Sequence, residues 1–111
     1  MTTIVFQVEG SRIVSVDVSG HSGYAEEGAD LICNTVVSAI QMVECTVNDV
    51  LGLAAAVKVE PEVPHISLRL PGGLSDEDEH TCQNLLTGMM VYMTGLRQDY
   101  PDNISVTVTE V

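Results

Sequence analysis

The sequence predicts a two-layer α+β domain, with two helices on one face of a mostly antiparallel five-stranded sheet in the order ββαββαβ. Short stretches of alternating apolar and polar residues indicate the strands, and two long stretches with apolar residues at steps of three and four indicate the helices. Turn residues separate these stretches. The 111 residues suit one domain, which we expect to span 1–111.

The first two strands are expected to form a β-hairpin. Residues 9–11, Glu-Gly-Ser, supply the turn between them. In each strand the apolar side chains recur at every second position and so share one side. They are Ile4, Phe6 and Val8 in the first strand and Val14, Val16 and Val18 in the second.

A polar, glycine-containing loop over residues 19–29 precedes the first helix. The helical stripe then covers Leu31 to Leu53, because apolar residues recur there at steps of three and four. Asp30 is a natural N-cap, and Gly52 is a plausible end signal. Cys45 lies mid-helix among apolar residues, which favours a place in the core.

The second half of the chain repeats the strand, strand, helix order and adds a last strand. Residues 55–60 and 65–70 read as strands, and Ser75 caps a helix whose first turn is the acidic run 76–79. Residues 99–101, Asp-Tyr-Pro, end this helix before the final alternating strand, which contains Ile104, Val106 and Val108. The helix has an apolar stripe, expected to fill the core: Leu85, Leu86, Met89, Met90, Met93 and Leu96.

The charge of the chain is strongly negative, with 16 acidic and 4 basic residues and a net charge of -12. Such a surface repels nucleic acid and anionic membranes and attracts a basic partner. The alternative is that the charge only keeps a small domain in solution.

No basic region precedes the first apolar residues, and no apolar run reaches the ~18 residues of a membrane span, so we expect a cytoplasmic protein with reduced thiols.

The loop and the start of the first helix hold the most informative residues. If Asp30 caps the helix, Cys33 lies in its first turn, where unpaired N–H groups and the helix dipole stabilise a thiolate. His21 precedes Cys33 by twelve residues across a glycine-containing loop that can fold back toward the thiol. A thiolate, a base and N–H donors together form the activated nucleophile that acyl transfer requires. The alternative is that His21 is a loop residue and Cys33 a buried helix residue.

The other candidate residues favour structural roles. His80 stands among acids and is expected to be solvated, and His65 begins a strand with no evident partner. Asp30 is expected to cap the helix and to support the site without a catalytic role. Ser38 either faces the site or bonds to its own helix. His21 and Cys33 are too few to argue for a metal site, so we expect no metal or cofactor.

The pattern Gly20-His21, followed by Gly28-x-Asp30-Leu31-Ile32-Cys33, resembles the ribosomal-processing cysteine proteases of bacteria. The resemblance implies a homodimer with a His–Cys dyad, in which Cys33 is the nucleophile and His21 the general base and then the acid. Gly20, Asp30 and Ser38 would be supporting residues. The implied substrate is a basic large-subunit ribosomal protein that carries a short N-terminal extension.

The chain departs from the family pattern just after the cysteine. Asn34 and Thr35 follow Cys33 where the family has small residues, and the family's serine four positions on is replaced by Val37, with Ser38 next. Two other functions stay open. One is a non-catalytic acidic module that binds a ribosomal protein, and the other is a thiol-dependent regulator that uses Cys33 alone.

Overall fold

The sheet is built from five strands, with two helices between them in the chain. The structure, a computed structural model, describes residues 1–20, 27–60 and 65–111, and in residues 27–31 the backbone alone. The elements follow the predicted order: β1 Thr2–Glu9, β2 Arg12–Ser19, α1 Glu27–Glu44, β3 Ala56–Glu60, β4 His65–Arg69, α2 Asp76–Asp99 and β5 Ile104–Glu110.

The strands lie side by side in the order β3-β4-β2-β1-β5. Neighbouring strands are antiparallel except β1 and β5, which are parallel. The prediction of a two-layer α+β fold with a mostly antiparallel five-stranded sheet is therefore confirmed. The β1–β2 hairpin forms the centre of this sheet, since β4 pairs with β2 and β5 pairs with β1.

A β-bulge interrupts the hairpin near its turn. Gln7 pairs with Ser15, but Val8 pairs with Ile13, so Val14 has no partner in β1. The extra residue breaks the alternation of the strand. For this reason the prediction that Val14 shares the core side with Val16 is wrong: Ile13 belongs to the core cluster and Val14, although buried, does not.

Apolar side chains from both helices and the inner face of the sheet form one core cluster. The α1 stripe contributes its buried residues at helical spacing, and the α2 stripe is buried at its centre, as expected for core methionines. Each side chain here is at most 6% exposed: Ile4, Phe6, Val16, Val18, Ile32, Val36, Ile40, Val43, Leu86, Met89 and Met93.

The outer face of the sheet, opposite the core side chains, is mainly polar. Register and alternation place on it Thr3, Val5, Gln7, Ser15, Asp17, Ser19, Lys58, His65, Ser67, Arg69, Ser105, Thr107 and Thr109. Such a face can contact water directly, so it needs no second protein layer to cover it.

The first helix differs from its prediction at both ends. It begins at Glu27, so Asp30 lies inside the first turn and is not the N-cap. After Glu44 the chain continues as a π-helical segment, Cys45–Val50, and Gly52 follows with a φ of 69°, as expected for an end signal. Cys45 is exposed, which contradicts its predicted place in the core. It falls between Val43 and Val47 and points away from the buried stripe that they form.

The start of α2 is anchored to the bulged end of the hairpin. As predicted, Ser75 caps the helix, and its Oγ accepts a hydrogen bond from the Asp78 N–H at 3.1 Å. The Gln83 side chain bonds both backbone groups of Ile13: the Ile13 N–H donates to Oε1 at 2.8 Å, and Nε2 donates to the Ile13 carbonyl at 2.9 Å. Beside it, Arg12 Nε lies 2.6 Å from Glu79 Oε1. These contacts satisfy backbone groups next to the bulge.

Replacing Gln83 with Met tests this anchor. Methionine keeps the length and helix propensity of the side chain but removes both hydrogen bonds to Ile13. We expect the free energy of unfolding in urea to fall by about 2 kcal/mol, because two part-buried backbone groups lose their partners. Thr87→Met, an exposed position one turn along the same helix face, is the control and should change stability little. Equal losses in both variants would contradict the anchor.

Candidate active site

Gly20 follows Ser19, the last residue of β2, and directly precedes His21. Its φ is +72°, and a Cβ at this position would lie 2.7 Å from the backbone oxygen of Met1. A side chain is therefore excluded twice, by the left-handed backbone and by the close approach of the N-terminal strand. The structure therefore explains why the residue before His21 is a glycine: only glycine allows the chain to leave the sheet at this point.

Cys33 is the seventh residue of α1, about 9 Å along the helix from Glu27. It therefore lies in the second turn, and the prediction that it lies in the first turn is wrong. The unpaired N–H groups and the dipole of a helix act mainly within its first turn. The helix start alone therefore stabilises a thiolate at Cys33 less than predicted, and a nucleophilic Cys33 would depend more on a neighbouring base. The Cys33 side chain is half-buried.

Two of the predicted site residues fall where the structure gives no side chains. His21 lies outside the described residues, and Asp30 is described only as a backbone position in the first turn of α1. An acidic residue in a first helical turn interacts favourably with the helix dipole. The catalytic role of His21 stays a prediction that rests on the sequence.

Ser38 is exposed and lines an open groove between α1 and α2. The groove has a volume of about 700 Å³, and Cys33 is not among its lining residues. Ser38 follows Cys33 by five positions, which turns their side chains about 140° apart around a helix of 3.6 residues per turn. The structure therefore places these two residues on different flanks of α1 and does not bring them together.

Sequence reasoning missed this groove. The described residues of its lining include no charged side chain; they are Asn34, Thr35, Ser38, Ala39, Met42, Val43, Asn84, Leu85, Gly88, Met89 and Tyr92. Met42 is 63% exposed and Tyr92 is 54% exposed, so both present apolar surface to solvent. The available signal was that both residues lie off the buried stripes of their helices.

The remaining titratable residues have other surroundings. His65, expected to have no partner, has two: its Nε2 lies 3.4 Å from Asp17 Oδ1 and its Nδ1 3.9 Å from Glu60 Oε2. His80 is exposed, as predicted, with Nε2 3.3 Å from Asn84 Nδ2. Within residues 1–20, 27–60 and 65–111, no group of three or more His, Cys, Asp or Glu side chains is placed to hold a metal ion.

Cys82 is fully buried in the core beneath the acidic start of α2. Burial, with the nearby charges of Glu79 and Asp78, raises the pKa of the Cys82 thiol above its ordinary value, while Arg12 acts in the opposite direction. A higher pKa leaves less thiolate at neutral pH. Cys82 is thus inaccessible and unreactive, whereas Cys45 is exposed.

Comparison with known proteins identifies the family. The family model described as cysteine protease Prp matches residues 1–105. The chain belongs to this family of cysteine proteases. The ribosomal processing cysteine protease Prp of Bacillus subtilis is 28% identical over 95 residues, which cover 86% of this chain and 85% of that protein.

Solved structures share the fold of this protease. A protein of Streptococcus mutans superposes with a TM-score of 0.86 at 16% identity, covering 100% of this chain and 96% of that one. The Prp protease of Staphylococcus aureus in complex with a substrate peptide superposes with a TM-score of 0.82 at 17% identity, covering 98% of this chain and 100% of that one. At this level of identity the likeness concerns the fold.

The relative reactivity of the three thiols tests Cys33 as the nucleophile. A His-activated Cys33 should react with iodoacetamide at pH 7 at least about 10-fold faster than the more accessible Cys45, because the thiolate is the reacting species. Cys82 should react slowest. Peptide mass spectrometry of the native protein over time gives the three rates.

The matched controls are His21→Ala, which should slow Cys33 alone, and His80→Ala, an exposed histidine on α2, which should change none of the rates. Alkylation of Cys45 ahead of Cys33, or a Cys33 rate unaffected by His21→Ala, would contradict an activated dyad.

Proposed function

We propose that this protease removes a short N-terminal extension from a large-subunit ribosomal protein, with Cys33 as the nucleophile and His21 as the general base and acid. The observation that carries the proposal is the family match over residues 1–105, which includes the Gly20-His21 pair and Cys33. The name of the Bacillus subtilis relative supports ribosomal processing as the activity.

The proposed reaction follows the chemistry of an activated thiol. His21 takes the proton of the Cys33 thiol, and the sulfur attacks the carbonyl carbon of the scissile peptide bond. The tetrahedral intermediate collapses as His21 gives that proton to the leaving amine, and a thioester on Cys33 remains. Water, deprotonated by His21, then attacks the thioester and releases the carboxylate product and the free thiol.

Gly20, Asp30 and Ser38 are proposed to support the site through their positions in the fold. Gly20 lets the chain turn away from the end of β2 directly before His21, since its left-handed φ and its approach to Met1 leave no room for a side chain. Asp30 lies one turn before Cys33 and favours the helix start electrostatically. Ser38 faces the groove, so its contribution is to the surface between the helices.

The net charge of -12 supports a basic substrate. Tails of ribosomal proteins that approach RNA are rich in Lys and Arg, and an acidic surface increases the rate at which such a chain is encountered. The same charge disfavours direct binding of nucleic acid or of an anionic membrane, and no helix among the described residues is long and apolar enough to cross a bilayer. A protease for this substrate would act in the cytoplasm, where ribosomes assemble.

Cleavage of the extended ribosomal protein tests this function. We expect the wild-type protein to release the extension, and Cys33→Ala and His21→Ala to lower kcat/KM by at least about 1,000-fold and 100-fold, respectively. Mass spectrometry of the ribosomal protein gives the cleavage site and the rate. Cys45→Ala removes an exposed thiol directly after the end of α1 and is the control that should retain full activity.

Two results would contradict the proposal. One is cleavage by Cys33→Ala at the wild-type rate. The other is the absence of cleavage by the wild type although it binds the extended protein, which would instead favour a non-catalytic binding module.

The groove between α1 and α2 supports a homodimer. Two copies with a charge of -12 repel each other, and the repulsion is smallest where the contacting surfaces carry no charge. In the part of the chain that the structure describes, the groove lining carries no charged side chain and exposes Met42 and Tyr92. Aromatic residues and methionine are enriched at protein interfaces. We therefore propose that a second copy packs its own α1 and α2 against this groove.

Met42→Glu tests the dimer by placing a like charge on each side of the proposed interface. We expect light scattering after size exclusion to give a dimeric mass for the wild type and a monomeric mass for Met42→Glu. Gln41→Glu introduces the same charge at the neighbouring exposed residue, outside the groove, and should stay dimeric. A monomeric wild type would contradict the dimer, and dissociation by both variants would contradict the use of the groove.

A further inference from the structure

The packing of α1 determines the direction in which Cys33 points. Ile32, Val36 and Ile40 are at most 1% exposed and turn one side of the helix toward the sheet. The groove residues occupy the flank next to α2. Cys33 lies about 100° from Ile32 around the helix, in the rotational sense opposite to the groove, and Val37 lies on the same side one turn later. The nucleophile therefore occupies the flank of α1 that faces away from α2.

The order of the strands shows what lies below that flank. α1 contacts β1 and β4, while α2 contacts β2 and β5. In the sheet order β3-β4-β2-β1-β5, α2 reaches the β5 edge and α1 reaches toward the opposite edge. The flank of α1 that carries Cys33 thus faces the side of the sheet that ends in β3.

β3 is an edge strand with a free side. In the described part of the chain it pairs with β4 alone, so the backbone groups on its other side have no strand partner. Unpaired N–H and C=O groups in a row are a template for adding an extended chain. Val59 of β3 adds an apolar side chain that is 64% exposed.

The register places Val59 at the end of the sheet that holds the site. Val59 pairs with Ile66 of β4, and Ile66 pairs with Val18 of β2. Val18 is two residues before Gly20, where the chain leaves the sheet toward His21. Because Val18 and Ile66 are buried on the side of the sheet covered by the helices, Val59 belongs to that same side, which is also the side of Cys33.

We propose that the substrate binds as an added strand along the free edge of β3, which carries its scissile bond past Cys33. The inference rests on the proposed protease function and specifies how that site holds its substrate. Backbone hydrogen bonds to β3 would hold an extended polypeptide regardless of its sequence, and the substrate side chains that face the helix layer would contact Val59. β3 would thus select an extended segment that carries an apolar residue at the position in contact with Val59.

The second free edge provides an internal control. β5 pairs with β1 alone among the described strands, and its Val108 is 55% exposed on the same side of the sheet as Val59. It lies four strand spacings from β3, about 19 Å away at ~4.8 Å per strand. It is therefore too distant to share a peptide strand with the Cys33 flank.

Amide hydrogen exchange locates the bound peptide. The Cys33→Ala protein, which should not cleave, is measured by NMR alone and with a saturating synthetic peptide that spans the extension and the first residues of the ribosomal protein. We expect at least one of the β3 amides of residues 57–60 to exchange 10-fold or more slowly with peptide, while those of Thr107 and Thr109 stay unchanged. Protection of β5 with no change in β3, or no change in either edge by a peptide that binds, would overturn the inference.

Paired substitutions at the two edges give the kinetic test in the otherwise unmodified enzyme. Val59→Glu should lower kcat/KM for the same peptide by 10-fold or more, mainly through KM, whereas Val108→Glu should change it less than 2-fold. Both positions are exposed, so both variants should unfold within a few degrees of the wild type. Equal kcat/KM for the two variants in an enzyme that cleaves overturns the β3 site and leaves the protease function intact. A wild type that neither binds nor cleaves the peptide overturns both.

Discussion

The burial of the α1 stripe against the central hairpin is the constraint on which the arrangement of the surface depends. Ile32, Val36 and Ile40 share one core cluster with Phe6 and Val16, and their burial fixes the rotation of the helix about its axis. If α1 turned about its axis by the angle of one residue, it would expose about three large aliphatic side chains, and each exposure would cost about 1.5–3 kcal/mol. With the rotation fixed, one flank carries Cys33 and the other borders the groove with α2.

The start of α2 supplies hydrogen-bond partners to backbone groups beside the bulge of the hairpin. Val14 interrupts the pairing of β1 with β2, and the amide of Gln83 bonds the N–H and the carbonyl of Ile13 beside it. Arg12, which precedes Ile13, donates hydrogen bonds to the Glu79 carboxylate and to the Pro71 carbonyl. The start of α2 is thus held to the sheet by polar contacts, whereas its later turns are held by buried leucine and methionine.

The surface of the protein divides into regions with different chemistry. The outer face of the sheet is mainly polar and suited to water, and the described lining of the helix groove is mainly apolar and carries no charge. The flank that carries Cys33 faces the side of the sheet that ends in β3, which pairs with β4 alone among the described strands. A homodimer through the groove and a substrate at the β3 edge would use opposite flanks of the same helix, so the two proposals are compatible. The negative charge carried by the rest of the chain would act on a basic substrate at longer range.

Most of the fold follows from local patterns in the sequence. Alternation in the strands, helical spacing in the two stripes, Ser75 as a cap and Gly52 as an end signal all depend on neighbours within a few residues, and the structure confirms them. The family also follows from the sequence, since the Gly20-His21 pair and Cys33 lie within a short motif. The start of α1 did not follow, because Glu27 and Ala29 are compatible with helix while Asp30 resembles a cap.

The features that the sequence left undetermined depend on contacts between distant residues. The bulge at Val14 becomes visible only when β1 and β2 are paired, and the two partners of His65 lie on different strands. The angle between Ser38 and Cys33 around α1 follows from their spacing in the sequence. That Ser38 faces a groove follows only from the packing of α2, which forms the other wall. The sequence by itself determined the elements, their order and the candidate nucleophile. The tertiary structure decided which flank of α1 carries that nucleophile and which strand edge it faces, because both depend on how the helices rest on the sheet.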